Sequence, residues 1–253
     1  ECKLMIIIKN DKEIDLMRIA GRIVAETLLL VEKEVRPGIT TAELDRIAEE
    51  FITKHGAKPS FKGLYGFPAS LCISVNEQVV HGIPGGYVLK EGDIISVDCG
   101  ANINGFHGDA ARTFAVGNIS EEAKRLIKVT EESFFKGLEF AKVGNKLTDI
   151  SHEIQRYVEV SGFSVVREFV GHGIGKSVHE DPEVPNFGRP GRGPKLVAGM
   201  ALAIEPMVNM GTYRVATLGD DWTVVSADKS LSAHYENTVV ILPDGPEILT
   251  LIK

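Results

Sequence analysis

Ile94-Ile95-Ser96-Val97-Asp98-Cys99-Gly100, then Ala101-Asn102-Ile103, Asn104-Gly105 and Phe106-His107-Gly108-Asp109-Ala110-Ala111, is the stretch that decides the fold. Its first seven residues read as a buried strand that leaves the turn Lys90-Glu91-Gly92-Asp93 and ends on an acid. Asn-Gly is a strong signal for a two-residue hairpin turn, so residues 106–111 are expected to run back antiparallel and bring Asp109 beside Asp98. The pattern recurs at Met200-Ala201-Leu202-Ala203-Ile204-Glu205, an apolar strand ending on an acid, where Pro206 stops it from continuing as a central strand. Glu236 is expected in the second arm of a last hairpin, residues 222–226 and 231–242, turned at Ala227-Asp228-Lys229-Ser230. His172 lies in Gly171-His172-Gly173-Ile174-Gly175, whose glycines permit close backbone approach or positive φ beside a ligand.

A carboxylate is expensive to desolvate. One acid at a strand end is ordinarily a solvated turn residue, but several strands each delivering one, with a glycine-framed histidine, need something that neutralises them. Two divalent cations would balance the four negative charges of Asp98, Asp109, Glu205 and Glu236, and would leave a low-charge site in which a bound hydroxide could act as nucleophile. One histidine among oxygen donors suits divalent manganese, iron or cobalt at least as well as zinc.

The rest of the sequence fits a compact soluble enzyme: 253 residues, 43% hydrophobic, with a formal net charge of −7. No apolar run approaches the length that spans a bilayer, and Met5-Ile6-Ile7-Ile8 is too short for a signal-peptide core, so a cytoplasmic location is expected. Three cysteines argue against a disulfide framework. Lysines and arginines are dispersed among acids, which gives no nucleic-acid patch. Residues 1–4, Glu1-Cys2-Lys3-Leu4, precede Met5, which is suited to initiation, and are expected to be a cloning remnant, leaving 5–253 as one catalytic domain.

Two helical stretches echo each other about 106 residues apart: residues 38–56 and 144–162 match in spacing, each starting after a glycine and ending at one. A longer helix precedes each, capped by Asn10 with Glu13 in the first case and by Ser120 in the second. Strands ending on acids follow. The fold expected is therefore α/β (α+β), with two pseudo-symmetric halves, about 10–117 and 118–242, around one shared site.

These residues resemble the type I, bacterial-type methionine aminopeptidases, which have the "pita-bread" fold around a central antiparallel sheet. The resemblance covers nearly the whole chain and is carried in order by Cys72-Ile73-Ser74-Val75-Asn76-Glu77, Val80-His81-Gly82-Ile83-Pro84, Ser96-Val97-Asp98, His107-Gly108-Asp109, Gly171-His172-Gly173-Ile174-Gly175, His179-Glu180, Ile204-Glu205-Pro206 and Ser232-Ala233-His234-Tyr235-Glu236. It implies that Asp98 chelates one metal, that His172 and Glu205 hold the other, and that Asp109 and Glu236 bridge them. It implies hydroxide attack on the first peptide bond of a chain with a free amine, with Glu205 as proton shuttle, His179 at the carbonyl oxygen and His81 at the scissile nitrogen or leaving group. The substrate implied is the initiator methionine of nascent chains near the ribosome, with a small second residue. A monomer is the default.

The wall for a methionine side chain is expected from Phe67, Cys72, His81 and Trp222, with His179 contacting the substrate at its carbonyl. Phe61, Leu64, Tyr65 and Val178 depart from what such enzymes often carry there, as does Gly100, where some have threonine. His107 and His234 flank metal ligands without an assigned role. Two other readings stay open: an Xaa-Pro aminopeptidase or dipeptidase of the same fold, and a non-catalytic binding module. The first is disfavoured because such enzymes usually carry a sizeable extra N-terminal domain, and the second because all five ligands are present.

Overall fold

The computed structural model describes residues 5–252, so the reading of residues 1–4 and of Cys2 lies outside it. Four helices start where the capping residues dictate. Helix α1 (Asp11–Glu34) opens on a reciprocal box in which the Asn10 side chain accepts from the Glu13 N–H and Glu13 accepts from that of Asn10. Helix α2 (Thr41–Lys54) repeats the device with Thr40 and Glu43. Ser120 caps helix α3 (Glu121–Leu138), as the sequence indicates. Helix α4 (Leu147–Val160) is tied at its start by the Asp149 carboxylate accepting from the Lys146 N–H. Helices α2 and α4 are both 14 residues long, begin at 41 and 147, and are followed by glycines at positive φ, Gly56 and Gly162.

Each helix pair covers its own strands. Ile23, Val24, Leu28, Val31, Leu44 and Ile52 of α1 and α2 recur at helical spacing and bury against Leu71, Ile73, Ile95 and Val97. On the other side, Leu126, Phe134, Ile150 and Ile154 of α3 and α4 bury against Leu202, Ile204, Val239 and Ile241. Among the described residues the strands form four antiparallel ladders. One pairs Ile94–Ile103 with Leu71–Val75, Lys58–Pro59 and Phe106–Ala115. A five-stranded ladder runs Gly245–Ile248, Asn237–Leu242, Ala201–Ile204, Gly171–Gly173, Glu180–Val184. Two three-stranded ladders complete the set.

The Asn104-Gly105 hairpin forms as read, with Ile103 opposite Phe106 and both turn residues at positive φ. Two expectations need correction. The strand carrying Asp98 does not end there but runs on to Ile103, and Asp98 sits at its middle. The last hairpin does not form either: Val224–Ser226 pairs with Val215–Thr217 and Gln78–Val80, whereas Ser232–His234 pairs with Met207–Asn209. The reason lies in the loop between. Asp228 accepts from Thr212 N–H and from the Ser230 N–H and hydroxyl, so residues 227–230 dock on the 211–214 turn instead of closing a ladder of their own.

The first ladder and the five-stranded one meet along a seam. The Glu236 N–H donates to Ala111 O at 3.0 Å and the Ala111 N–H to Glu236 O at 3.3 Å. Two residues on, the Thr238 hydroxyl accepts from the Asp109 N–H at 2.9 Å and donates to Asp109 O at 2.8 Å, with Thr238 wholly buried. Nearby α1 crosses Phe106–Ala115 at glycines: a Cβ on Gly108 would lie 2.7 Å from the Gly21 nitrogen, and one on Gly21 would lie 2.4 Å from Leu249 O. No helix among the described residues is long and apolar enough to cross a membrane.

Candidate metal centre

Asp98 pairs with Ala111 and Gly100 with Asp109, so the two acids are diagonal neighbours on one face of the ladder. Glu205 follows the strand Ala201–Ile204 at Pro206, and His172 lies opposite Ala203 on the adjoining strand. The glycines around His172 serve close approach, not positive φ: a Cβ on Gly171 would stand 2.3 Å from Ala203 O and one on Gly173 2.1 Å from Asp181 O. Glu236 enters between Ser232–His234 and Asn237–Leu242, fixed by the seam. Five segments thus deliver five donors to one place.

His172 Nε2 lies 3.5 Å from Glu205 Oε1 and 3.9 Å from Asp109 Oδ2. Donor atoms of Asp109, His172 and Glu236 all lie within 4.8 Å of one another, and so do those of Glu205, His234 and Glu236. Asp98 belongs to neither triad but reaches the cluster through its carboxyl against that of Asp109. Burial raises the pKa of every acid here. Asp98 is pushed up to about 7, with the hydrogen bond to Asp109 partly offsetting the effect. Asp109, Glu205 and Glu236 go well above the usual carboxylate range, first by burial and then by one another's charge. Burial, with the nearby His179, lowers His172 to about 4 and so leaves it neutral. Its Nδ1 is 2.9 Å from Gly173 O, the arrangement that places the proton on Nδ1 and leaves Nε2 free as a lone-pair donor.

Asp98 Oδ1, Asp109 Oδ1, Glu236 Oε1 and His234 Nε2 are buried without any hydrogen-bond partner. Buried acceptors are rarely left so. A converging set of orphaned oxygen and imidazole donors fits divalent cations, and hard oxygens beside one or two imidazoles fit manganese, iron, cobalt or zinc.

Each predicted site residue lines the same cavity of about 760 Å³. Phe67, Cys72 and Trp222 form one apolar wall with Phe61, Ala69 and Val178, and Trp222 meets Phe67 edge-on at 5.0 Å. His81 is held at φ 59°, edge-on to Phe169 at 5.5 Å, and burial lowers its pKa to about 4. A side chain on the next residue, Gly82, would strike Ile73 O at 2.2 Å. His179, more open, stands 4.5 Å from the His172 ring and stacks on Tyr65 at 6.0 Å. Behind it the buried Lys9 ammonium pairs with Glu180, which also accepts from Lys176 N–H. At Gly100 a Cβ would fall 2.9 Å from the Phe61 ring, so this aromatic fills the place of a larger residue.

The sequence reading assigned no role to His234, which the structure places 3.7 Å from Glu205 Oε2 and 3.9 Å from Glu236 Oε2. Its place in the sequence offered a signal, two residues before the candidate ligand Glu236. Phe169 was missed for want of one: a lone aromatic after Glu168 carries no pattern.

Known proteins bear on this site. The model of metallopeptidase family M24 matches residues 15–243. A methionine aminopeptidase of Clostridium perfringens is 78% identical over 249 residues, 98% of this chain and 100% of that protein. Methionine aminopeptidase 1 of Bacillus subtilis is 58% identical over 248 residues, again 98% and 100%. Among solved structures, a methionine aminopeptidase from Thermotoga maritima superposes with a TM-score of 0.97 at 48% identity, over 98% of this chain and 100% of that one. A prolidase from Pyrococcus furiosus gives 0.81 at 23% identity over 98% of this chain and 66% of its own, a likeness of fold alone.

Proposed function

Because the chain belongs to metallopeptidase family M24, we propose that it removes the N-terminal methionine from peptides and proteins, and that the five donors Asp98, Asp109, His172, Glu205 and Glu236 hold two divalent ions for that reaction. The observation that carries the reading is the set of buried, unpartnered oxygens converging beside an apolar cavity. Divalent ions bound there supply Lewis-acid polarisation of a peptide carbonyl and make water acidic near neutral pH.

The protein's own residues do the rest. Glu205, in its carboxylate form, takes a proton from the attacking water and returns it to the leaving amine. His179 donates a hydrogen bond to the carbonyl oxygen as charge gathers there. His81, kept neutral by burial, faces the scissile nitrogen. Phe67, Cys72 and Trp222 exclude water from the methionine side chain and provide a polarisable apolar lining. The reading carries with it two halves, about 10–117 and 118–242, a cytoplasmic monomer, and nascent chains near the ribosome as substrate. The ion is manganese, iron, cobalt or zinc.

The test is release of methionine from unblocked Met-Ala-Ser by metal-stripped protein titrated with each ion, with N-acetylated Met-Ala-Ser and Ala-Pro-Ala as controls. Ion-dependent cleavage of the first peptide alone is expected. Cleavage of Ala-Pro-Ala would make it an Xaa-Pro peptidase, and no cleavage with any ion would make it a binding module.

A further inference from the structure

We propose that His234 is an additional nitrogen ligand of the centre, binding through Nε2 the ion that Glu205 and Glu236 hold. This rests on the metal reading above.

The geometry around His234 repeats that around His172. Its Nε2 stands 3.7 Å from Glu205 Oε2 and 3.9 Å from Glu236 Oε2, as that of His172 stands 3.5 Å from Glu205 and 3.9 Å from Asp109. These separations are too long for hydrogen bonds, whose N···O distances run about 2.7–3.2 Å. They match two donors on one ion, since ligands roughly 2.1 Å from a metal lie roughly 3–4.2 Å apart. The nitrogen is otherwise orphaned: His234 is 1% exposed and its Nε2 has no partner. Burying an imidazole nitrogen with nothing to bond is costly, and a cation is the partner that a lone pair among carboxylates fits.

The ring is aimed by its backbone. The Thr113 hydroxyl donates to His234 O and accepts from the His234 N–H, both at 2.9 Å, and Thr113 in turn meets Ser96. Met207 pairs from the other side. A second imidazole makes the donor set softer, which favours cobalt, iron and zinc over manganese relative to a one-histidine centre.

The experiment loads the full chain, ¹⁵N-labelled at histidine, with Co(II) and counts the hyperfine-shifted imidazole N–H resonances. Two are expected in the wild type. His234→Gln should lose one and keep the other, bind Co(II) roughly 10–100-fold more weakly by calorimetry, and melt within a few degrees of the wild type. His172→Gln should lose the opposite resonance. A single shifted N–H in the wild type, a count needing no variant to fold, overturns the assignment while leaving the metal centre intact. Failure of the wild type to bind Co(II) overturns both.

Discussion

Thr238→Val tests the idea that the acids are held by the seam and not only by their own strands. Valine keeps the shape and removes the hydroxyl, leaving the Asp109 N–H and carbonyl, now at 2.9 and 2.8 Å from it, without partners in a wholly buried place. Each such orphan costs about 1–3 kcal/mol. Taken together they should cost about 3 kcal/mol, and at about 2 °C per kcal/mol for a chain of this length the melting midpoint should fall by about 6 °C. Thr238→Ser keeps both bonds and loses one methyl, about 1 kcal/mol or about 2 °C. Asp109 is also a predicted bridging ligand, so the valine variant should bind Mn(II) ~10-fold or more weakly. The assay is thermal unfolding in chelator, followed by Mn(II) calorimetry. If valine melts as high as serine, the two hydrogen bonds do not hold the seam, and the reasoning fails.

Other outcomes follow from the same geometry. The Asp98 carboxyl, raised from 3.8 to about 7 in the ion-free fold, contributes stability that is fully present below pH 3.8 and is lost as pH rises through about 7. An ion must displace that proton, so calorimetric affinity for Mn(II) should drop by about fivefold from pH 7 to pH 6, with proton release; affinity independent of pH would contradict it. Lys9→Met leaves Glu180 buried without its ammonium partner, so stability should fall by about 3–5 kcal/mol, and pairing it with Glu180→Gln should recover part of the loss. Urea unfolding of the singles and the double reads this, and a double as unstable as the sum of both rules out coupling. Trp222→Ala opens the wall beside Phe67, and kcat/KM for Met-Ala-Ser should fall by about tenfold while norleucine and methionine peptides suffer alike; unchanged kinetics would place Trp222 outside the substrate's reach.

Local signals in the sequence carried far. Asn104-Gly105, the caps at Asn10 and Ser120 and the strand ending at Glu205-Pro206 each state their geometry within a few residues, and the structure shows each as read. Pairing between distant segments was less legible. The 222–226 and 231–242 stretches look like neighbours because a turn separates them, yet the partners are decided by Asp228 reaching Thr212, which no periodicity encodes. The same holds for the seam: nothing local in Asn237-Thr238 says that its hydroxyl will bond Asp109, 129 residues away. His234 escaped assignment because, although Glu236 stands two residues on, its other acidic neighbour, Glu205, meets it only in three dimensions.

The crossing of α1 near Gly21 has a consequence for order in time. Leu249 O sits where a Cβ on Gly21 would go, the Thr250 hydroxyl accepts from the Thr238 N–H, and Arg112 donates to Thr250 O. Residues near 250 thus lock both the first helix and the strand that holds Asp109. The helices α1 and α2 can form early, but the centre cannot close until the stretch around residue 250 has docked on them, and such long-range closure is slow. A chain of this architecture stays inert, unable to trim any N-terminus, until segments as far apart in sequence as Gly21 and Leu249 have met.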